Sequence, residues 1–193
     1  MVEIILASKS KVRKEILDQN GILSKVEPSN INEDDIKKSL LAEKATPEII
    51  SKNLAELKAN KISQKNYDKL VLGADSVIDL DGELISKPEN REKALQILKK
   101  LNGKKHYLIS SACISKNGAM IWNHTDSSEL KMKNLTDKQI LEYLDKIESR
   151  ILLAYGVYQI EADGRSLFAK IEGNEDSIMG LPVKQIKEYL SNS

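Results

Sequence analysis

An α/β fold with a mixed β-sheet is what this sequence predicts. Apolar runs of strand length alternate with stretches of helical periodicity. Two hairpin turns, Asp81-Gly82 and Asn117-Gly118, interrupt any regular β-α-β rhythm and argue against a purely parallel, doubly wound sheet. The chain also lacks both the Walker loop and the dinucleotide-binding glycine fingerprint.

The elements follow in order. Val2–Ala7 is nearly all apolar and reads as a buried strand. After Ser8-Lys9-Ser10 comes a helix with Val12, Ile16 and Leu17 on one face. Thr46-Pro47 is a helix start, hydroxyl cap then proline in the first turn, and the helix is expected to reach about Lys65 with Ile50, Leu54, Leu57 and Ile62 as its stripe. Leu70–Ala74 is a second buried strand. Val77–Leu80 and Glu83–Ile85 flank the first hairpin turn. Asn90 caps a helix bearing Ala94, Ile97, Leu98 and Leu101, which Gly103 stops. His106–Ile114 and Ala119–Asn123 form the second hairpin, and Ser127–Lys133 a further strand. Thr136-Asp137-Lys138-Gln139 is a capping box opening a helix with Ile140, Leu141 and Leu144. Ser166–Glu172 reads as a strand and Pro182–Leu190 as the closing helix.

At 193 residues the chain suits a single domain spanning 1–193. With 30 basic and 29 acidic side chains, no global field draws it to a nucleic acid polymer or a membrane. Its apolar runs fall far short of the ~20 residues of a spanning helix. Cys113 is the only cysteine, so no internal disulfide forms. Without a basic n-region and long apolar stretch at the start, a cytoplasmic location is expected. His106 and His124 have no partners at metal-ligand spacing and read as structural.

Four constellations and one helical lysine bear on chemistry. Ser8-Lys9-Ser10-Lys11-Val12-Arg13-Lys14, at a strand end entering a helix, can bind an anion; the same letters suit an ordinary serine cap with a solvated basic turn. Asp75, in Gly73-Ala74-Asp75-Ser76 at the end of an apolar strand, can hold a divalent cation or act as general base, or can simply end the strand in a turn. Lys87, in Ser86-Lys87-Pro88, can point back toward Asp75 or stay solvated. Lys58 falls between Leu54 and Ile62 on the helical wheel, where a cation needs an anionic partner or must snorkel, and Lys61 shares that sector. Tyr158-Gln159-Ile160-Glu161 can read a base edge or line a wet strand face.

Taken in order, nine segments resemble the Maf family: Leu6-Ala7-Ser8-Lys9-Ser10, Asn32-Glu33, Ala55-Glu56-Leu57-Lys58-Ala59, Gly73-Ala74-Asp75-Ser76, Asp81-Gly82, Ser86-Lys87-Pro88, Asn102-Gly103-Lys104-Lys105-His106, Tyr158-Gln159-Ile160-Glu161 and Gly180-Leu181-Pro182. The resemblance implies an elongated mixed β-sheet flanked by helices, in two lobes around a central cleft, as in inosine triphosphatases. It implies homodimers, a divalent cation (Mg²⁺ or Mn²⁺) and hydrolysis of nucleoside triphosphates, ordinary or modified, to monophosphate and pyrophosphate. By position, Asp75 is the family's proton acceptor, with Glu33 a second acidic residue at the metal or water. Ser8, Arg13, Lys58 and Lys87 match the phosphate-binding groups, and Ser76 and Gln159 the base-reading ones. The chain departs at Val12, where family members carry an arginine tied to substrate choice. It departs again at Leu152-Leu153-Ala154-Tyr155, where a lysine is common. A nucleotide-binding regulator of cell division is the rival reading, and other phosphoanhydrides are rival substrates.

Overall fold

The computed structural model describes residues 3–160 and 162–192. Met1, Val2 of the first expected strand, and Glu161 of the expected base-reading segment lie outside them. The chain enters through β1 (Ile4–Leu6) and α1 (Lys11–Gln19), then β2 (Ser24–Val26), α2 (Glu33–Ala42) and α3 (Pro47–Ser63). A hairpin of β3 (Val71–Leu80) and β4 (Glu83–Ile85) leads to α4 (Arg91–Leu101). The long hairpin of β5 (Lys105–Lys116) and β6 (Ala119–Met132) precedes α5 (Asp137–Asp145) and α6 (Ser149–Tyr155). A 3-10 turn (Asp163–Leu167), β7 (Phe168–Glu172), α7 (Glu175–Ile178) and α8 (Val183–Ser191) complete it.

The seven strands form one mixed sheet in the order β2-β1-β3-β5-β6-β7, with β4 also on β3. β1 runs parallel to β2 and β3; every other pairing is antiparallel. The chain is thus α/β with a mixed sheet, as the hairpin turns predict. Caps act where the sequence places them: Ser10, Thr46, Asn90 and Thr136 each accept a backbone N–H, and Thr136 with Gln139 closes a full capping box.

Several expectations need correcting. Asp75 does not end a strand; β3 continues through it to Leu80, because a buried lysine neutralises the carboxylate within the sheet. Ser127–Lys133 is no separate strand but the second half of β6. Leu57 and Leu141 are exposed, whereas Tyr143 is buried on α5 in a core of branched and aromatic side chains.

Two apolar clusters dominate. One joins β1, α1 and α8 through Leu6, Ile16, Leu17 and Ile186. The other joins α4, α5, α6 and β7 through Leu98, Leu144, Leu152 and Phe168. Between them, one edge of β3 is split. β5 covers its other edge from Val71 to Asp79, while β1 pairs only at Val71 and Leu72 and β4 only from Ile78 to Leu80. Residues 73–77 therefore face an opening in the sheet.

Candidate active site

That opening is a cleft of about 510 Å³. Small residues bring α3 close enough to the sheet to fill its floor: Ala55, Ala59 and Cys113 form a cluster there, and a Cβ on Gly73 would stand 2.1 Å from the Ala55 carbonyl oxygen. Lys58, on the sheet-facing side of α3, consequently reaches the sheet. It is 6% exposed, and its ammonium donates to Asp75 Oδ1 at 2.7 Å and pairs with Glu33 Oε1 at 2.8 Å. The Ala74 carbonyl lies 3.5 Å away. The anionic partner required of a lysine in that apolar sector is thus present, twice. Lys61 instead turns out to donate to the Asn30 carbonyl.

Asp75 is 5% exposed, and its second oxygen, Oδ2, is buried with no hydrogen-bond partner among the described residues. An orphaned carboxylate oxygen is rare and marks a place for a proton or a cation. Glu33 opens α2 as its first residue, where the helix dipole favours a carboxylate. Partial burial pushes its pKa up, but Lys58, by charge and hydrogen bond, with Lys37 and Lys87, outweighs this and holds it below the usual glutamate value.

Arg13 is the most heavily bonded cation. Its guanidinium donates to the Gly180 carbonyl (2.9 Å), Ser8 Oγ (3.2 Å), the Ala74 carbonyl (3.0 Å) and Ser76 Oγ (3.1 Å). Desolvation lowers its pKa, opposed by Asp75 and then Glu33. The fork ties α1 to β3 and to the loop before α8. Gly180 has φ of 110° there, and a Cβ on it would crowd Ser76 Oγ at 3.3 Å. Ser76 also shares a hydrogen bond with Ser110 (2.9 Å). Lys87 sits on the exposed rim and donates to the Ala154 carbonyl at 2.7 Å, tying the segment after β4 to α6. Desolvation of its ammonium lowers its pKa, with Glu33 opposing and Arg13 adding to the effect.

Ser8, Arg13, Glu33, Lys58, Asp75, Ser76, Lys87, Val12 and Gln159 therefore all line one cleft. Val12 faces it while packing partly into the β1–α1 cluster. Apolar side chains such as Ile78, Ile85, Leu108 and Val157 line another part of the same cleft, so a charged wall and an apolar wall share it. Lys37, on the unforeseen α2, lines the cleft too; a polar helix with no buried residue leaves little periodic signal for the sequence to show. Cys113, buried in β5 with its thiol pushed up to about 11 by burial, takes no part. His106 is a core residue whose Nε2 meets the Tyr158 hydroxyl at 2.9 Å, and His124 pairs with Asp126 at 2.7 Å.

The described residues contain no group of three metal-ligating side chains. Asp75 and Glu33 nonetheless share one ammonium, so the two carboxylates converge, and Asp75 Oδ2 lacks a partner. That donor set suits an ion such as Mg²⁺, which takes one or two carboxylates and completes its shell with phosphate oxygens and water.

Comparison with known proteins fits this geometry. A protein from Pelagibacter ubique (strain HTCC1062), named nucleoside triphosphate pyrophosphatase, is 67% identical over 188 residues, 97% of this chain and 96% of its own. A Brucella abortus protein named 7-methyl-GTP pyrophosphatase is 35% identical over 182 residues, covering 94% and 92%. Among solved structures, a HAM1 protein from Coxiella burnetii superposes with a TM-score of 0.52 over the full length of both chains at 14% identity, a likeness of fold alone. The sequence model described as "Maf-like protein" matches residues 3–193, and the chain belongs to that family.

Proposed function

We propose that this protein hydrolyses nucleoside triphosphates to nucleoside monophosphate and pyrophosphate in the cleft at the split edge of β3. The observation that carries the reading is Asp75: a buried carboxylate, held by Lys58 through one oxygen and unpartnered at the other, inside a cleft rich in cations. Two named relatives, at 67% and 35% identity, point to the same reaction.

In this reading Asp75 Oδ2 takes the proton from the attacking water. Lys58 holds Asp75 ionised and oriented through Oδ1, a 2.7 Å contact. The water's oxygen bonds to the α-phosphorus, the bond from that phosphorus to the α–β bridging oxygen breaks, and pyrophosphate departs. Arg13, Lys58 and Lys87 balance the charge of the phosphates, each charge-assisted bond contributing about 1.5–3 kcal/mol. Asp75 and Glu33 would hold a divalent cation, Mg²⁺ or Mn²⁺, which would neutralise phosphate charge and polarise the phosphoryl group. Ser76 and Gln159 meet the base beside the apolar wall. A homodimer belongs to the same reading, by family resemblance.

A panel of ordinary and modified triphosphates, assayed with Mg²⁺ or Mn²⁺, tests the reading. Pyrophosphate and monophosphate in equal amounts are expected. Orthophosphate as the product, or nucleotide binding without turnover, would overturn it, and the second outcome would favour a nucleotide-binding regulator. Light scattering on the same sample reads the oligomeric state.

A further inference from the structure

Lys37 has no counterpart in the residues assigned so far, and its surroundings set it apart from the chain's other lysines. It lies one turn along α2 from Glu33, lines the cleft, and its side chain is only 17% exposed. Among the described residues its one ion pair, to Glu33 Oε2, is 3.8 Å long, beyond hydrogen-bond reach, while the other oxygen of Glu33 meets Lys58 at 2.8 Å. Among the described residues Lys37 makes no hydrogen bond.

The other cleft cations differ. Lys9 is exposed; Arg13 donates to four oxygens, Lys58 to Asp75 and the Ala74 carbonyl while pairing with Glu33, and Lys87 to the Ala154 carbonyl. An ammonium whose stem is sheltered and whose three donors face the cleft unused is free to bind an anion there. The charge count points the same way. Among the described residues, Lys9, Arg13, Lys37, Lys58 and Lys87 line the cleft against Glu33 and Asp75, an excess of three positive charges in a chain whose formal net charge is +1. The missing complement is a polyanion.

Lys37 also influences Lys87, whose ammonium it disfavours, and Glu33, whose carboxylate it favours. Asp75, Lys58, Glu33 and Lys37 form a row in which each charge meets the next, at 2.7, 2.8 and 3.8 Å, so Lys37 stands at the opposite end of the row from Asp75. A polyphosphate whose reacting phosphorus lies at Asp75 would extend its far end toward Glu33, Lys87 and Lys37.

We infer that Lys37 is a substrate-binding residue that grips the terminal phosphate and so makes the cleft prefer a triphosphate to a diphosphate. This rests on the pyrophosphatase reading for the direction in which the substrate lies, but the binding claim can be tested without turnover. Calorimetry with inorganic tripolyphosphate and with inorganic pyrophosphate is compared for the wild type, Lys37→Ala, Lys37→Arg and Lys38→Ala, the last an exposed lysine that does not line the cleft. Lys37→Ala is expected to weaken tripolyphosphate about tenfold or more and pyrophosphate much less, as loss of a charge-assisted bond would do. Lys37→Arg should recover most of the affinity, and Lys38→Ala should match the wild type. In steady-state assays Lys37→Ala should raise KM for the triphosphate about tenfold with kcat nearly unchanged, narrowing the preference over the diphosphate. Equal tripolyphosphate affinity in wild type and Lys37→Ala, or an equal loss in Lys38→Ala, overturns the inference. If Lys37 governs tripolyphosphate binding and no pyrophosphate is released from any nucleotide, the inference stands and the proposed reaction falls.

Discussion

A carboxylate at 5% exposure in the middle of a strand is expensive unless its charge is answered, and Lys58 answers only half of Asp75. Asparagine is nearly isosteric and can still accept from Lys58, so Asp75→Asn should keep the fold. It cannot take a proton from water, and kcat should fall on the order of 10²–10⁴. Steady-state kinetics on the folded variant checks this, and a loss under threefold would exclude Asp75 as the base. Val12 makes a second case. It offers no donor to the cleft, and Arg13 beside it is already committed to Gly180, Ser8, Ala74 and Ser76. Base preference should therefore be broad, because sharp rejection of wrong substrates comes from polar groups left unpaired by them. Val12→Arg should shift kcat/KM among uridine, thymidine, cytidine and guanosine triphosphates more than it changes the best value. Identical rankings in the two proteins would show that position 12 has no part in the choice. At this scale residue type was legible: Asp75 stood out as a charge after an apolar run, and Lys58 as a cation among apolar neighbours. The pairing of Lys58 spans 25 residues of chain to Glu33 and 17 to Asp75, and no local pattern encodes it.

Strands and helices were legible where they bury a periodic face or carry a cap. α3 announced itself through Thr46-Pro47 and α5 through its capping box. α2 did not, because none of its residues is buried and its Asn32 cap precedes a run of charges rather than an apolar stripe. The sequence understates β3, because a charged residue such as Asp75 in an apolar strand normally marks its end. The element that matters most to the site is the contact between α3 and β3, where Gly73 allows helix and strand to approach. A Cβ at position 73 would come within 2.1 Å of the Ala55 carbonyl oxygen and 2.7 Å of the Ala59 amide nitrogen, both backbone atoms that cannot rotate away. Gly73→Ala must therefore push α3 off the sheet, at about 1–3 kcal/mol or more. Because α3 carries Lys58 and β3 carries Asp75, the 2.7 Å pair should loosen as well. We expect a lower urea midpoint together with a loss of kcat that persists under conditions where the variant is fully folded. A variant with wild-type stability would show that the helix settles freely at a greater distance.

The two largest apolar clusters flank the cleft, and a buried histidine packs against the second. His106 is 0% exposed, tilted against the Phe168 ring and hydrogen-bonded to Tyr158, while its Nδ1 has no partner among the described residues. With no anion to answer it, burial lowers its pKa from 6.5 to about 4. Protons therefore bind the unfolded chain in preference to the folded one between those values, and the sign follows: the contribution of this residue is complete above pH 6.5 and is lost as pH falls toward 4. At pH 5 the loss relative to pH 8 amounts to about 2 kcal/mol. His106→Gln keeps a donor and acceptor for the Tyr158 hydroxyl but does not titrate in this range. Its unfolding free energy, measured by urea at pH 8, 6 and 5, should decline less than that of the wild type, with the difference between the two curves growing to about 2 kcal/mol at pH 5. Tyr158 precedes Gln159 in the cleft wall, so opening of this cluster would reach the wall at Gln159. Parallel urea curves for the two proteins would show that His106 stays neutral in the unfolded chain as well, or is already protonated in the fold, and that the second cluster owes it no pH dependence.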